Sequence, residues 1–282
     1  MIPIGLNLTS IGVSSTWWKE SAQLAEEAGF AGVWCWDHFV SRGKKSDPVL
    51  ECWTTLTAAA AHTSRIRVGS FINNVMNRHP AVLARMLATI WDQSGGRVDL
   101  GIGVGGSGPE LTMYGIETPD PPVRVRRLEE AVAVIRLLWT GGPVDYSGEF
   151  FTLSGAWAHP VPEPPPRIIV GGEKPGGSRL AARVGDGWTT NAEDYEKLLP
   201  IHLQELSAHG RSRAEVKHLL AVSIARDEPL ESQPLISDMA TFLGEWQERG
   251  ADEIIVSWVR PAELPALLEA AARSGVTASA GT

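Results

Sequence analysis

Cysteine is scarce in this 282-residue chain, which carries only Cys35 and Cys52. Two cysteines cannot build a disulfide framework, so the sequence reads as that of a protein kept in a reduced, cytoplasmic setting. Long apolar runs are missing as well. None approaches the ~20 residues that a membrane-spanning helix requires. The opening MIPIGLNLTS has neither the basic start nor the cleavage site of a secretory leader, so none is expected. Positive charge is not in excess: the net charge is −8, which argues against a general nucleic-acid binder, because such proteins neutralise phosphates with clustered Lys and Arg. The seven histidines form no HxH or HExxH pair and the cysteines no CxxC, so no metal centre is expected. A serine nucleophile elbow is absent too.

What is present suits an ordinary soluble core: 43% of residues are hydrophobic and 21% charged. Eleven tryptophans are many for this length; most belong in a core, with an aromatic-lined pocket as a secondary expectation. Along the chain, short β-branched runs alternate with helical patterns. Strands are predicted at 3–9, 32–36, 65–72, 97–104, 166–172, 187–190, 218–226 and 252–258. Helices are predicted at 17–30, 51–63, 81–94 and 125–140, then from SRLAARVGDG onward and flanking the last two strands. PVDYSGEFFTL (143–153) reads as a hairpin turning at Ser147–Gly148, part of an insertion at about 141–166 that the Pro-rich HPVPEPPPR closes. Eight strand–helix units with no break in composition predict one α/β domain over 1–282, a (β/α)8 TIM barrel with a short hairpin insertion before the fifth barrel strand. A doubly wound sheet shares the local pattern and is the alternative.

In a barrel, chemistry sits at the C-terminal ends of strands. Asp37 and His38 stand where the second strand ends, and a carboxylate beside an imidazole suits a general acid/base oriented by its neighbour. The structural alternative makes Asp37 a loop cap and His38 a rim residue. The third strand ends in FINNVMNRHP, where the amide of Asn74 can hold the edge of a heterocycle, while Arg78 and His79 read as structural. The fourth strand ends in GIGVGGSGPE, whose glycines 101, 103, 105, 106 and 108 let backbone approach a ligand closely. After the fifth strand, GGEKPGGS offers free N–H groups at a helix start, a cradle for phosphate with Ser178 adding a hydroxyl and Lys174 or Arg179 a charge. An ordinary loop capped by Ser178 is the alternative there.

These pieces together resemble the luciferase-like monooxygenase superfamily, and within it the branch that uses the deazaflavin coenzyme F420. The resemblance rests on LAEEAGFAGVWCWDHF, TSRIRVG with NRHPAVLARMLATI, SGGRVDLGIGVGG, RLEEAVAVIRLLWTG with GEFFTL, and PPPRIIVGG with RLAARVGDGW, in that order up to about Trp188. It implies a planar ring at the barrel mouth and a non-proline cis peptide behind it, which falls on Phe71–Ile72. It implies that Asp37 and His38 are catalytic and that Asn74 contacts the ring; Gly105 and Gly106, from the glycine-rich end of the fourth strand, are expected as further cofactor contacts. It places phosphate contacts on Gly171 and Gly172, and on Gly176, Gly177 and Ser178. Sugar-phosphate dehydrogenases of this type carry a glutamate soon after strand four and a tryptophan after the Asp-His pair; Gly106 and Arg42 stand there here, which leaves the substrate open.

The function the resemblance implies is hydride transfer between coenzyme F420 and a small organic substrate, with His38 moving the accompanying proton. Alternatives are an FMN-dependent monooxygenase using reduced flavin and oxygen, a non-catalytic flavin- or deazaflavin-binding barrel, and an unrelated barrel enzyme that binds a phosphorylated metabolite at 171–178. The coenzyme's acidic tail needs a local positive rim, for which Arg42, Lys44 and Lys45 are the candidates, a solvated basic loop being the other reading. Dimers are common in such barrels, but nothing in the composition shows one.

Overall fold

The first strand, β1 (Ile4–Leu8), is buried along its whole length because both of its faces are covered. Ile4, Leu6 and Leu8 pack outward, while Asn7 and the bare face of Gly5 lie inside a closed ring of strands. The computed structural model describes residues 1–106 and 108–276. Each following strand repeats this two-sided burial: β2 (Gly32–Cys35), β3 (Arg67–Asn74), β4 (Val98–Gly103), β7 (Arg167–Gly171), β8 (Gly187–Asn191), β9 (Lys217–Ser223) and β10 (Glu253–Val259). Two further strands, β5 (Val144–Ser147) and β6 (Thr152–Ala156), form a separate antiparallel hairpin. The barrel order is β1-β2-β3-β4-β7-β8-β9-β10, closing back on β1 through parallel pairs throughout. Closure selects the barrel over the doubly wound sheet, and all eight C-terminal strand ends meet at one mouth.

The connections are α1 (Ser15–Glu27), α2 (Cys52–His62), α3 (Pro80–Ser94), α4 (Pro109–Met113), α5 (Pro121–Leu138), α6 (Pro175–Val184), α7 (Ala192–Ala208), α8 (Pro234–Ser237), α9 (Met239–Glu248) and α10 (Leu264–Ser274). Their starts follow local chemistry. Ser14 accepts the Trp17 N–H, Glu51 the Thr54 N–H and His79 the Ala81 N–H, and prolines occupy the first turn of α3 and α5. Among the described residues no helix is long and apolar enough to cross a membrane.

Inside the barrel, the Trp34 indole fills the middle layer with Phe71, Ile169, Leu219 and Ile255. Gly5, Gly32 and Gly69 surround that ring, and a Cβ at any of them would overlap it. The layer at the strands' N-terminal ends is charged. Asp99, wholly buried, receives Arg167 (2.7 Å) and Arg67, and Arg167 also approaches Glu253 at 3.4 Å. Burial alone would raise the Asp99 carboxyl, but the two guanidinium groups outweigh it and hold it well below the usual range.

Three differences from the sequence reading bear on the site. Strand β3 runs on to Asn74 rather than ending at 72, which puts both asparagines on the strand end. The short helix α4 was not anticipated. The hairpin extends to Ala156, and its turn spans 148–151 rather than two residues, because Glu130 of α5 accepts the Phe150 and Phe151 N–H groups.

Between α7 and the sheet, two buried histidines meet. His202 Nδ1 contacts the Ser178 carbonyl at 3.0 Å, and His218 Nδ1 contacts the Tyr195 hydroxyl at 2.8 Å. Burial, with Arg213 nearby, pushes His202 down to about 4 and His218 lower still, so both rings fold neutral. The unfolded chain protonates them near pH 6.5, so their contribution is present above that pH and is lost as pH falls below it. Between pH 7.5 and 5 the native protein loses roughly 2 kcal/mol of stability per histidine. Urea unfolding at the two pH values should show about half that total loss in His202→Asn; equal losses in both proteins contradict the assignment.

Candidate functional site

Asp37 leaves the end of β2 nearly buried and is claimed entirely by the β3–α3 connection. Its carboxylate accepts Arg78 Nη1 at 2.8 and 2.9 Å, Asn77 Nδ2 at 2.9 Å and the Asn74 N–H at 3.0 Å. Arg78 in turn reaches Glu51 at the start of α2 and the Asn73 amide oxygen. The expectation that Asp37 orients His38 is therefore corrected: a half-buried guanidinium offers a carboxylate more than an imidazole does, and Asp37 clamps two mouth loops instead. His79 caps α3, the structural role the sequence suggested.

His38 finds another carboxylate. Its Nδ1 lies 2.7 Å from Glu110 Oε2, while Glu110 Oε1 accepts the Phe39 and Val40 N–H groups. Burial pulls the Glu110 carboxyl up, but the bonds from His38 and Phe39 outweigh it and keep the pKa below the ordinary value. An ionised Glu110 requires a proton on Nδ1, which leaves Nε2 of the neutral ring as the basic atom. Nε2 has no hydrogen-bond partner among the described residues. Glu110 escaped the sequence reading, although an acid one residue after Pro109 marks a helix start just past a strand end.

Behind His38, β3 breaks register between Ser70 and Asn73, and the Phe71–Ile72 peptide is cis, where the resemblance placed it. The Ile72 side chain lies across Gly101, Gly103 and Gly171, and a Cβ at Gly103 or Gly171 would overlap its Cδ1. Asn7 crosses the barrel here, donating to the Phe71 carbonyl (3.4 Å) and accepting the Trp258 N–H (3.2 Å). Asn74 accepts the Met76 N–H through Oδ1 (3.0 Å) and lies against Gly105, whose φ of +82° already favours glycine. Arg124 of α5 donates to the carbonyls of Gly105 (2.6 Å) and Gly106 (3.1 Å) and fixes that loop.

The loop after β7 is built differently from the expectation. The Gly172 N–H is committed to the Thr189 carbonyl (2.8 Å), and Gly172 and Gly177 approach so closely that a Cβ on either would strike the other's backbone. Ser178 is wholly buried on the packed face of α6, its N–H bonds the Lys174 carbonyl, and its Oγ has no partner among the described residues. Ser178, Ala181 and Ala182 share the buried face of the helix. What stays available is the first turn of α6, where Gly176 is exposed with open space around it.

Aromatic rings complete the mouth. Trp36 stands edge-on to His38 (centroids 5.3 Å apart) and 4.9 Å from Trp258, while Phe39 meets Tyr114 at 4.7 Å. The Arg42 guanidinium lies 5.7 Å over Trp36 and that of Arg226 4.8 Å over Trp258; Lys44 and Lys45 are exposed. Trp258, at the end of β10, has φ +59°, and no sequence rule foretells that for a tryptophan.

A family model described as luciferase-like monooxygenase matches residues 14–234. An F420-dependent glucose-6-phosphate dehydrogenase of Microbacterium testaceum is 36% identical over 208 residues, 72% of this chain and 62% of its own length. An F420-dependent hydroxymycolic acid dehydrogenase of Mycobacterium tuberculosis is 34% identical over 195 residues, 67% of this chain and 53% of its own. The chain thus spans less than two thirds of the length of these curated relatives. Among solved structures, an F420-dependent secondary alcohol dehydrogenase bound to an F420–acetone adduct superposes with a TM-score of 0.83 at 22% identity, covering 96% of this chain and 99% of that one. The monooxygenase RslO1 of Streptomyces bottropensis gives 0.70 at 25% identity, covering 97% and 96%. With its parallel barrel, its bulge at Ile72 and a family match over most of its length, the chain belongs to the luciferase-like monooxygenase family.

Proposed function

We propose that the protein is an oxidoreductase that moves a hydride between the deazaflavin coenzyme F420 and a small organic substrate. The observation that carries the reading is the His38–Glu110 pair standing in the mouth beside the Ile72 bulge. The residues present fit the coenzyme. Ile72, cleared of neighbours by glycines, supplies an apolar support for a planar ring, and the Asn74 Nδ2 group, without a partner among the described residues, suits a ring carbonyl. The Gly176 and Gly177 N–H groups at the start of α6, with Lys174 and Arg179 beside them, suit its phosphate. Gly171 and Gly172 shape this cradle through packing. The Arg42, Lys44 and Lys45 loop suits the acidic tail, and the buried thiols of Cys35 and Cys52 suit a reduced cytoplasm.

When bound, the coenzyme supplies a carbon that takes or returns a hydride. The protein's own part is the proton. Glu110 holds Nδ1–H, so Nε2 of His38 accepts the proton of a substrate hydroxyl, or returns it to a carbonyl oxygen in the reverse direction. Asp37 contributes by position: its bonds to Asn74, Asn77 and Arg78 fix the strand end that presents His38. The FMN monooxygenase reading draws on the likeness to RslO1, and its mark is oxygen-dependent turnover.

His38→Ala should lower turnover by roughly 10²–10⁴-fold with coenzyme affinity held within a few-fold. Glu110→Gln should lower turnover with coenzyme affinity held, since an amide no longer fixes the proton on Nδ1. If coenzyme release rises in His38→Ala while turnover per bound coenzyme holds, the proton role is wrong. Gly176→Asp tests the phosphate cradle. The site has room and a helix N-terminus favours an acid, so thermal stability should hold or rise while F420 binding weakens about tenfold by charge repulsion. Unchanged affinity contradicts the cradle.

A further inference from the structure

Trp36, Trp258, Phe39 and Tyr114 belong to neither cluster of buried apolar side chains, so they are not there to stabilise the core. Trp36 stands against His38 and Trp258 against Trp36, while Phe39 and Tyr114 form a second pair, tied to Glu110 through the Phe39 N–H. Tyr114 is 54% exposed and its neighbour Met113 49%, an apolar rim left open to solvent.

Trp258 is the sharpest signal. A bulky residue at φ +59° is strained and persists only where its surroundings hold it. Here Asn7 accepts its N–H (3.2 Å), Arg226 donates to its carbonyl (3.0 Å), and the same guanidinium covers the ring. Strain kept at a strand end, on a ring outside the core, points to function.

Most polar side chains at these strand ends are already spent on the protein; the Asn74 Nδ2 group and the Arg42 guanidinium over Trp36 stay open. Asp37 is saturated by Arg78, Asn77 and Asn74. Asn7 bridges Phe71 and Trp258, and Asn73 serves Trp53, Arg78 and Asn74. Both oxygens of Glu110 are taken. A polyol or sugar phosphate entering here would leave buried hydroxyls short of partners, which is costly. A flat apolar molecule with one oxygen needs only one polar partner, and His38 is it.

Resting on the F420 reading above, we infer that Trp36 and Trp258 form the substrate platform of this mouth, and that its substrate is a flat, apolar carbonyl compound or the corresponding alcohol rather than a sugar phosphate.

The test uses the full chain and two separate readouts. Binding of 2-acetonaphthone is followed by equilibrium dialysis without coenzyme, and F420 binding by its fluorescence. Trp258→Gly suits the left-handed backbone, and Trp36→Leu provides a second variant should the first fail to fold. Each is expected to weaken 2-acetonaphthone about tenfold, the scale of a lost aromatic pair with its buried area. F420 affinity should stay within threefold, and glucose 6-phosphate should not displace the ketone. If the ketone binds in a tryptophan-dependent way but F420 does not bind, the platform stands and the hydride reading falls. If F420 binds but the ketone does not, or binds equally to both variants, the platform is overturned. Loss of F420 affinity in the variants also overturns it, by assigning the rings to the coenzyme.

Discussion

The mouth of this barrel is organised by one buried ion pair. Asp37 at the end of β2 and Arg78 ahead of α3 lock two loops together, with Asn74 and Asn77 filling the remaining lone pairs of the carboxylate and Glu51 extending the link to α2. A buried pair of this kind brings little net stability over an apolar replacement, but removing one partner strands a charge and costs several kcal/mol. Its value here is positional. With Asp37 consumed, His38 turns to Glu110 from the opposite loop, and the adjoining end of β3 carries the register break at Ile72.

Glycine does two different jobs around that frame. Gly101, Gly103 and Gly171 clear space for Ile72, and Gly172 with Gly177 allows the β7 loop to fold against the first turn of α6. These are packing roles between protein atoms. Gly176 alone among them is surrounded by open space, and it sits where a helix start presents unbonded N–H groups. The glycine-rich loops therefore shape the mouth mainly through packing between protein atoms.

The barrel was legible because β-branched runs alternate with helical periods eight times without a change of composition, and closure adds nothing to that local signal except the choice between two related topologies. Strand-end reasoning located Asp37, His38 and Asn74. The pairing of Asp37 with His38 failed because adjacency in sequence does not imply contact at a strand end, where successive side chains diverge. Glu110 is missed because α4, five residues long, is too short to show a period, which leaves the Pro109–Glu110 start as the one signal. The spacing of Ser178 from Ala181 and Ala182 marks the buried face of α6, a packing role beside the ligand contact the resemblance implies. The rings of Trp36 and Trp258 meet across 222 positions of chain numbering, and only the closed barrel brings them within 4.9 Å.

All of this converges on a planar redox ring held at the mouth. Side-by-side equilibrium titration of the purified protein with F420 and with FMN addresses that most directly. The account predicts saturable binding of F420 at one site per chain, tighter than FMN under the same conditions. Saturable FMN binding with no response to F420, or no saturable binding of either, would contradict it.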